Sequence, residues 1–236
     1  NEEKHLTFEE YQRETSKEWD KYLSTIKINS KNEDRIKQFY THFYHSLIHP
    51  NIVSDVNGEY MGADFKVHKT KENREQYSSF SVWDTYRTQG QLIAMLFPKK
   101  SSDMMQSLVD FAEQAGGYGR WILANIETGI MQGDPTPILI SNSFAFGGDD
   151  FDLKTAYRYM KKGALIPRLY SQKQEVRPYL EEYINNGHTF ASMSLEYASA
   201  DFAIAQFALN AVKNEEDYKY FKNRSQNWKN NYNSKT

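Results

Sequence analysis

The sequence predicts a mainly α-helical protein, and three observations support that fold class. Most of the 236 residues fall into segments whose apolar side chains recur at helical spacing. Helix start and stop signals flank these segments, and no repeat of fixed length indicates a solenoid. Short and long connections alternate between them, and one segment is apolar on several sides. We therefore expect layered helices, with that apolar helix in an inner layer.

The N-terminal part of the chain contains two predicted helices. Thr7 and Glu10 have the spacing of a capping box, which predicts a helix over residues 7–26. The side chains that this helix should bury are Phe8, Trp19, Leu23 and Ile26. A second helix is predicted over residues 33–48, where large apolar residues share one face, and Pro50 ends it.

Residues 51–80 lack helical periodicity. Asn57-Gly58 is a turn signal, and residues 59–67 alternate as a strand does. We expect a long loop that holds a short hairpin near residues 51–70. Long ordered loops in compact domains often carry function, so this segment is a candidate for a role in binding.

Seven further helices are predicted in the rest of the chain. They cover residues 82–97, 102–114, 134–146, 152–162, 175–186, 194–212 and 215–232. Pro98 stops the first of them, and Gly116-Gly117 stops the second. Residues 115–132 are expected to be irregular. The helix over residues 194–212 is the apolar one assigned to the inner layer, and the whole chain, 1–236, is predicted to be a single domain.

Composition excludes several classes of function. The formal net charge is −2, which argues against a nucleic-acid partner because such a partner needs a basic surface. No stretch approaches the ~20 apolar residues of a membrane span. Cysteine is absent, which excludes disulfides, thiolate metal sites and a cysteine nucleophile. The chain begins with Asn rather than Met, so a processed or shortened N-terminus is expected.

His42, His45 and His49 form a candidate metal site, because their spacing places them on one face of the second predicted helix. That face lies opposite the apolar one, and no carboxylate falls among the histidines. We therefore expect solvated side chains and predict no metal site in this chain.

Two other motifs favour structural explanations. Asp149, Asp150 and Asp152 follow a Gly-Gly pair, and capping of the next helix explains them better than a calcium loop does. Residues 116–119 are glycine-rich, but no strand precedes them and no Lys-Ser/Thr follows, so a sharp turn beside Trp121 is favoured over a phosphate loop.

Residues 81–87 are chemically the densest part of the sequence. Ser81 and Asp84 have the spacing of a capping box, and Asp84 and Arg87 have that of an i,i+3 ion pair. The alternative is functional. A carboxylate and an aromatic side chain at the mouth of a helix suit hydrogen bonding and stacking of a sugar, and residue types alone leave both readings open.

Residues 77–87, which read YSSFSVWDTYR, resemble the signature of glycoside hydrolase family 92, calcium-dependent exo-acting α-mannosidases of largely bacterial origin. The likeness continues in order along almost the whole chain. Its further parts are residues 39–45 with Pro50, residues 55–60, Trp121, Glu127-Thr128, Met131, Gly133, Phe151-Asp152 and residues 194–201. One departure is Gly133-Asp134-Pro135, where many α1,2-mannosidases have Gly-Tyr-His, so the linkage preference stays open.

The resemblance implies a β-sandwich followed by an (α/α)6 toroid. This chain has no run of sandwich-like strands and too few helices for a closed toroid, so we expect a fragment of the helical domain. The family's glutamic acid and aspartate base belong to motifs absent here, and so do its calcium ligands. Catalytic residues and calcium ligands are therefore expected outside the chain, which should be inactive alone.

The same resemblance assigns part of a sugar pocket to this chain. The implied substrate-binding residues are Trp83, Asp84, Thr85, Trp121, Glu127 and Thr128. Arg87 is expected to support Asp84 without touching the sugar. The parent would hydrolyse α-mannoside glycans in the periplasm or at the surface of a bacterium, with the remaining parts of its polypeptide as partners. The alternative is a non-enzymatic helical protein that binds glycans or serves as a scaffold.

Overall fold

The computed structural model describes residues 6–71, 73–233 and 235. The described chain divides after His49 into two compact units. No observation tests the prediction that residues 1–236 form a single domain, so it stays a prediction. None of the described helices is both long and apolar enough to cross a bilayer.

The first unit contains two helices, α1 (Phe8–Leu23) and α2 (Glu33–Ser46). The predicted capping box of α1 is confirmed: the Glu10 N–H donates to Thr7 Oγ1 at 3.3 Å, and the Thr7 N–H donates to Glu10 Oε2 at 2.8 Å. These two bonds satisfy amides that the first helical turn leaves without partners.

The predicted burial of Phe8 is wrong, because its side chain is 77% exposed. The ring contact between the two helices lies toward the other end of α1, where Trp19 meets Tyr44 edge-on at 4.5 Å, so the first turn stays uncovered. Trp19, Leu23 and Ile26 are half-buried. The three histidine side chains on and after α2 are exposed, as expected: His42, His45 and His49.

The second unit contains eight α-helices in its described part. They are α3 (Val82–Thr85), α4 (Gln89–Leu96), α5 (Pro98–Ala115), α6 (Thr136–Ala145), α7 (Leu153–Leu165), α8 (Leu180–Asn186), α9 (Ala191–Asn210) and α10 (Glu215–Arg224). A 3-10 helix, Ser225–Asn231, follows α10. The mainly α class that the sequence predicts is confirmed.

Short strands pair within this unit as four antiparallel ribbons. They are β1 (Asn51–Ile52) with β4 (Tyr77–Ser78), β2 (Glu59–Met61) with β3 (Val67–Lys69), β5 (Ile122–Leu123) with β6 (Ile126–Glu127), and β7 (Tyr170–Ser171) with β8 (Gln174–Glu175). The predicted hairpin near residues 51–70 is confirmed as β2–β3, with Tyr60 opposite His68.

Residues 115–132 contain the β5–β6 hairpin, although the sequence predicts irregular structure there. Its two turn residues, Ala124 and Asn125, both have positive φ, at 47° and 65°. Such turns favour Asn-Gly because alanine rarely adopts this backbone. The Ala-Asn pair therefore gives only a weak turn signal in the sequence.

The largest corrections concern two predicted helices, whereas the helix predicted over residues 215–232 ends at Arg224 and continues as the 3-10 helix, and the one predicted over residues 102–114 begins at Pro98. The predicted helix over residues 82–97 is two helices, α3 and α4, because Thr88 between them has a φ of 79°. The predicted helix over residues 175–186 begins only at Leu180. Gln174–Glu175 is a strand, and Pro178 and the positive φ of Tyr179 separate it from α8.

The predicted inner helix is confirmed in α9. Ten of its residues are buried, spread around the helix rather than along one stripe. Its Ile204, Ala205 and Phe207 join a core cluster that includes Leu108 of α5 and Ile140 of α6. This core fixes the elements that carry residues 81–87 and residues 119–135.

Candidate functional site

The mouth of α3 presents an exposed carboxylate. The predicted capping box is wrong, because the Ser81 side chain accepts no backbone N–H, and its φ of −84° and ψ of 64° are not those of an extended cap residue. The Ser81 hydroxyl instead donates to Oδ2 of Asp84. Asp84 thus remains on the surface with acceptor capacity to spare.

Trp121 meets Asp84 at this mouth, although 37 residues separate them in sequence. The indole N–H of Trp121 donates to Oδ2 of Asp84 at 3.5 Å, and the ring is half-buried. Trp83 and Thr85, the neighbours of Asp84 on α3, are also half-buried. The indole Nε1 of Trp83 is enclosed and has no hydrogen-bond partner among the described residues.

Glu127 holds the segment that carries Trp121. Its Oε2 accepts the backbone N–H groups of Arg120 at 2.8 Å and Trp121 at 3.3 Å, and its Oε1 accepts that of Gly129 at 2.8 Å. Burial raises the pKa of Glu127, whereas these N–H groups and the Arg120 charge act in the opposite direction. The carboxylate is thus committed to the protein backbone.

Thr128 reinforces the same segment. Its hydroxyl donates to the carbonyl oxygen of Trp121 at 2.8 Å, and its N–H donates to that oxygen at 3.1 Å. Gly119 has no side chain at the point where a Cβ would collide with Oε2 of Glu127. The side chains of Glu127 and Thr128 therefore hold the backbone of Trp121 in place.

Arg87 does not form the predicted ion pair with Asp84. Among the described residues its carboxylate partner is Glu196 of α9, with Nη2 to Oε1 at 3.2 Å. Its guanidinium lies over the rings of Trp83 at 4.8 Å and Tyr86 at 4.5 Å. Two aromatic rings and a carboxylate distant in sequence therefore hold the cation in place of the predicted i,i+3 partner.

Glu196 is a residue that sequence reasoning missed. Besides Arg87 it accepts a hydrogen bond from the Tyr86 hydroxyl at 3.2 Å. Gly133 packs against it so closely that a Cβ there would lie 2.5 Å from the Glu196 Cβ. Glu196 was part of a matching motif, but nothing in the sequence tied it to Arg87, 109 residues away.

The segment Gly133-Asp134-Pro135 faces the protein interior at its central residue. Asp134 is buried, and its Oδ2 accepts from Nε of Arg177 at 2.8 Å. Arg177 continues to Asp201, which also binds Arg224. Asp134, where the sequence departs from the family pattern, is therefore part of an internal ion pair.

The other sequence motifs have structural roles. Gly116 ends α5 with a φ of 95°, as a left-handed C-cap does. Asp152 caps α7, because its Oδ1 accepts the Thr155 N–H at 3.0 Å, as expected. Asp150 forms an ion pair with Arg74. No group of three or more His, Asp or Glu in the described part of the chain is arranged to hold a metal ion.

The mouth of α3 therefore brings together an exposed carboxylate, two indole rings and an unpaired indole N–H. Carboxylate oxygens accept hydrogen bonds from adjacent hydroxyls, and indole faces pack on the apolar face of a sugar ring. Glu127, Thr128, Arg87 and Glu196 position these groups. The arrangement suits recognition of a hydroxylated ring.

Comparisons with known proteins converge on one family. The glycosyl hydrolase family 92 catalytic domain matches residues 1–236. A solved family GH92 α-mannosidase from Bacteroides thetaiotaomicron is 26% identical, with a TM-score of 0.83 over 95% of this chain and 30% of that one. The same enzyme in complex with mannoimidazole gives the same identity and TM-score, over 95% of this chain and 29% of that one.

A second relative shows the likeness of fold alone. The family GH92 inverting mannosidase from Bacteroides thetaiotaomicron VPI-5482 is 21% identical, with a TM-score of 0.86 over 98% of this chain and 32% of that one. The predicted helical fold, part of an α/α toroid, is thereby confirmed. This chain spans about 30% of the length of the solved structures it matches. No curated protein sequence matches it.

Proposed function

Because this chain belongs to glycosyl hydrolase family 92, we propose that it supplies part of the mannose pocket of an exo-acting α-mannosidase. The natural protein that carries it would release mannose from α-mannosides, such as those of N-glycans, by inverting hydrolysis. The observation that carries this proposal is the meeting of Asp84 and Trp121, at 3.5 Å, in the segments that match the family.

The solved relatives support a hydrolase over the alternative. One is an α-mannosidase that was also solved with mannoimidazole bound, and another is an inverting mannosidase. None of these relatives is described as a non-enzymatic glycan-binding or scaffold protein, so that alternative gains no support. Export to the periplasm or the cell surface remains a prediction.

Asp84, Trp83, Thr85 and Trp121 would contact the sugar. Asp84 would accept hydrogen bonds from ring hydroxyls through lone pairs that Ser81 and Trp121 leave free. Holding the sugar in one orientation is the contribution of such residues to catalysis, because correct placement removes an entropic cost from the reaction.

Glu127, Thr128 and Arg87 would act through their neighbours. Glu127 and Thr128 bind the backbone around Trp121, which fixes the indole that faces Asp84. Arg87 lies against the Trp83 ring and is held by Glu196. We therefore assign these residues to positioning of the aromatic side chains rather than to direct contact with mannose.

The catalytic acid and base are proposed to lie outside this chain. Inverting hydrolysis needs two free carboxyl groups ~6.5–9.5 Å apart, with a water molecule beside one of them. The buried carboxylates of the described residues are each bound to a cation or to backbone N–H groups. They are Asp103, Glu127, Asp134, Asp201 and Asp217. The chain alone is accordingly expected to be inactive on α-mannosides.

Calcium, which the family resemblance implies, is expected to bind outside the described residues. The described residues contain no cluster of three or more His, Asp or Glu suited to a metal ion. We propose that its ligands belong to other parts of the natural protein.

The test is substitution of Asp84 in the natural protein. Asp84→Ala should lower kcat/KM on an α-mannoside by about 100-fold or more, because the sugar loses its hydrogen-bond acceptor and its orientation. His45→Ala, which changes an exposed side chain of the first unit, is the control and should leave turnover unchanged. Near-normal turnover of Asp84→Ala would show that the α3 mouth is not part of the pocket.

A further inference from the structure

We propose that a polar cavity between the β2–β3 hairpin and α5 binds one saccharide unit, separately from the Asp84 site. The cavity has a volume of about 520 Å³, within the range of ligand sites in proteins. None of the residues assigned above to the mannose pocket lines it. We call it the α5 cavity. Only the choice of a saccharide as its ligand rests on the proposed function.

Gln76 gives the first sign that the α5 cavity receives a ligand. It lines the cavity and is only 4% exposed. Its backbone is fixed, because its N–H donates to Ser54 Oγ at 3.1 Å and its carbonyl accepts from Val53 at 2.8 Å. No described residue hydrogen-bonds to its side-chain amide. The amide is not among the unpaired polar groups that the protein encloses completely, so it is available to a ligand in the cavity.

Asp110 places a carboxylate in the same cavity. Its Oδ1 accepts from Nε2 of Gln106 at 2.8 Å, and its other oxygen accepts no hydrogen bond from the described residues. Asp110 is half-buried, and this burial together with the Glu113 charge raises the pKa of its carboxyl, whereas Gln106, Lys71 and Arg74 act in the opposite direction. A hydroxyl donor would complete its hydrogen bonding.

Three other charged groups at the cavity are paired with neighbours. Glu75 is bound to Lys100, Glu113 pairs with Arg158 at 2.7 Å, and Arg74 pairs with Asp103 at 2.9 Å. Asp110, Lys69 and Lys71 also line the cavity, so it offers both acceptors and donors of hydrogen bonds to a polar ligand.

A sugar fits the remaining groups. A sugar hydroxyl can donate a hydrogen bond to Asp110, and the same or a neighbouring hydroxyl can accept one from Gln76 or Lys71. One wall carries the stacked rings of Tyr60 and His68, with centroids 5.7 Å apart. Asp64 holds His68 in place at 2.8 Å. The wall thus offers an apolar surface beside the hydrogen-bonding groups.

The experiment uses the natural protein with Asp84→Ala, which removes sugar binding at the α3 mouth. Methyl α-D-mannoside is titrated by calorimetry and by ligand-detected NMR. We expect one saturable site to remain. Adding Asp110→Asn should weaken it by about 10-fold or more, since a charged acceptor is lost without a change of shape. Asp149→Asn, an exposed substitution outside the cavity, is the matched control and should change nothing.

Several results would overturn the inference. They are no saturable binding in the Asp84→Ala protein, unchanged affinity after Asp110→Asn, or binding of glycine but of no sugar. If Asp110→Asn fails to fold by thermal melting, Lys71→Met on the exposed rim replaces it and should weaken binding several-fold. Retained hydrolysis by Asp84→Ala would instead count against the proposed function and leave the α5 cavity to be judged by its own titration.

Discussion

Two charged regions of the second unit use the same residue types in opposite ways. The first is the interior network of Asp134, Arg177, Asp201 and Arg224, in which every member is buried. The second is the α3 mouth, where Asp84 is exposed and bound only by uncharged donors in the described chain. The first region is closed to ligands, and the second is open to them.

The interior network balances its charges internally. Asp201 accepts from Nη1 of Arg177 at 2.8 Å and from Nε and Nη2 of Arg224 at 2.6 and 2.7 Å. Asp134 completes the set through Arg177. Two carboxylates thus face two guanidinium groups, and charge neutrality makes burial tolerable. At the α3 mouth the charge of Asp84 is stabilised by solvent instead of by a cation. Asp84 therefore keeps lone pairs that can accept hydrogen bonds from a sugar.

The largest effect is expected from breaking the interior network. Asp201→Ala leaves two guanidinium groups buried beside a single carboxylate, which should lower the free energy of unfolding by about 3–5 kcal/mol. Urea denaturation of the natural protein measures this change. Asp84→Ala is the comparison and should change the free energy of unfolding by no more than about 0.5 kcal/mol. Equal losses from both substitutions would erase the contrast between the regions.

A smaller effect is expected at Glu127, which is buried yet serves the open site. Gln in its place has one acceptor oxygen and a donor group, so at least one of three backbone N–H bonds is lost. We expect a loss of about 1–2 kcal/mol in the free energy of unfolding. The fluorescence emission of Trp121 should also change. It is measured in a variant whose other tryptophans are replaced. Unchanged emission together with unchanged stability would contradict the positioning role.

Glu196→Ala tests the link between α9 and the α3 mouth. The substitution releases Arg87 from its carboxylate, so the cation over Trp83 loses its fixed position. We expect kcat/KM on an α-mannoside to fall by about 5–10-fold, mainly through KM, because the ion pair is partly exposed. Glu196→Gln, whose single amide oxygen can still accept from Arg87 but cannot also accept from Tyr86, should recover part of the loss.

The control for Glu196 is Glu181→Ala. Glu181 belongs to an exposed ion pair with Arg168 at 3.9 Å, and its removal should leave both kinetic constants unchanged. If Glu196→Ala behaves like this control, Arg87 needs no carboxylate to support the site.

The smallest effect is expected at the surface pair of Asp64 and His68. A hydrogen bond from His68 lowers the pKa of Asp64 below its ordinary value of 3.8. A carboxyl group whose pKa is lower in the folded state stabilises the fold above its unfolded pKa. That contribution disappears as the pH falls below 3.8 and through the lowered value. NMR titration of the Asp64 carboxyl measures the shift, and His68→Ala should return the pKa toward 3.8.

The sequence predicted the features that depend on near neighbours. The caps at Thr7 and Asp152 and the C-cap at Gly116 involve partners within four residues, so residue types at fixed spacing reveal them. The inner position of α9 was also predicted, because its apolar residues occur on every side.

The predicted capping box and the predicted ion pair at residues 81–87 were both wrong. The sequence pairs Ser81 and Asp84 as a capping box and Asp84 with Arg87 as an ion pair. Both rules assume a regular helix, whereas α3 ends at Thr85 and Thr88 has a φ of 79°. Once the helix stops, the geometry behind an i,i+3 pair is lost, and tertiary neighbours take over.

The sequence by itself predicted the helical class, most of the helices and the resemblance to the family. Only the tertiary structure decided which charges are buried and which are open, because those pairings close over long stretches of chain. Asp84 meets Trp121 across 37 residues, and Arg87 meets Glu196 across 109. Local propensity holds no information about such closures. They form when the core packs α5, α6 and α9 together, and the packed core sets the distances that the site requires.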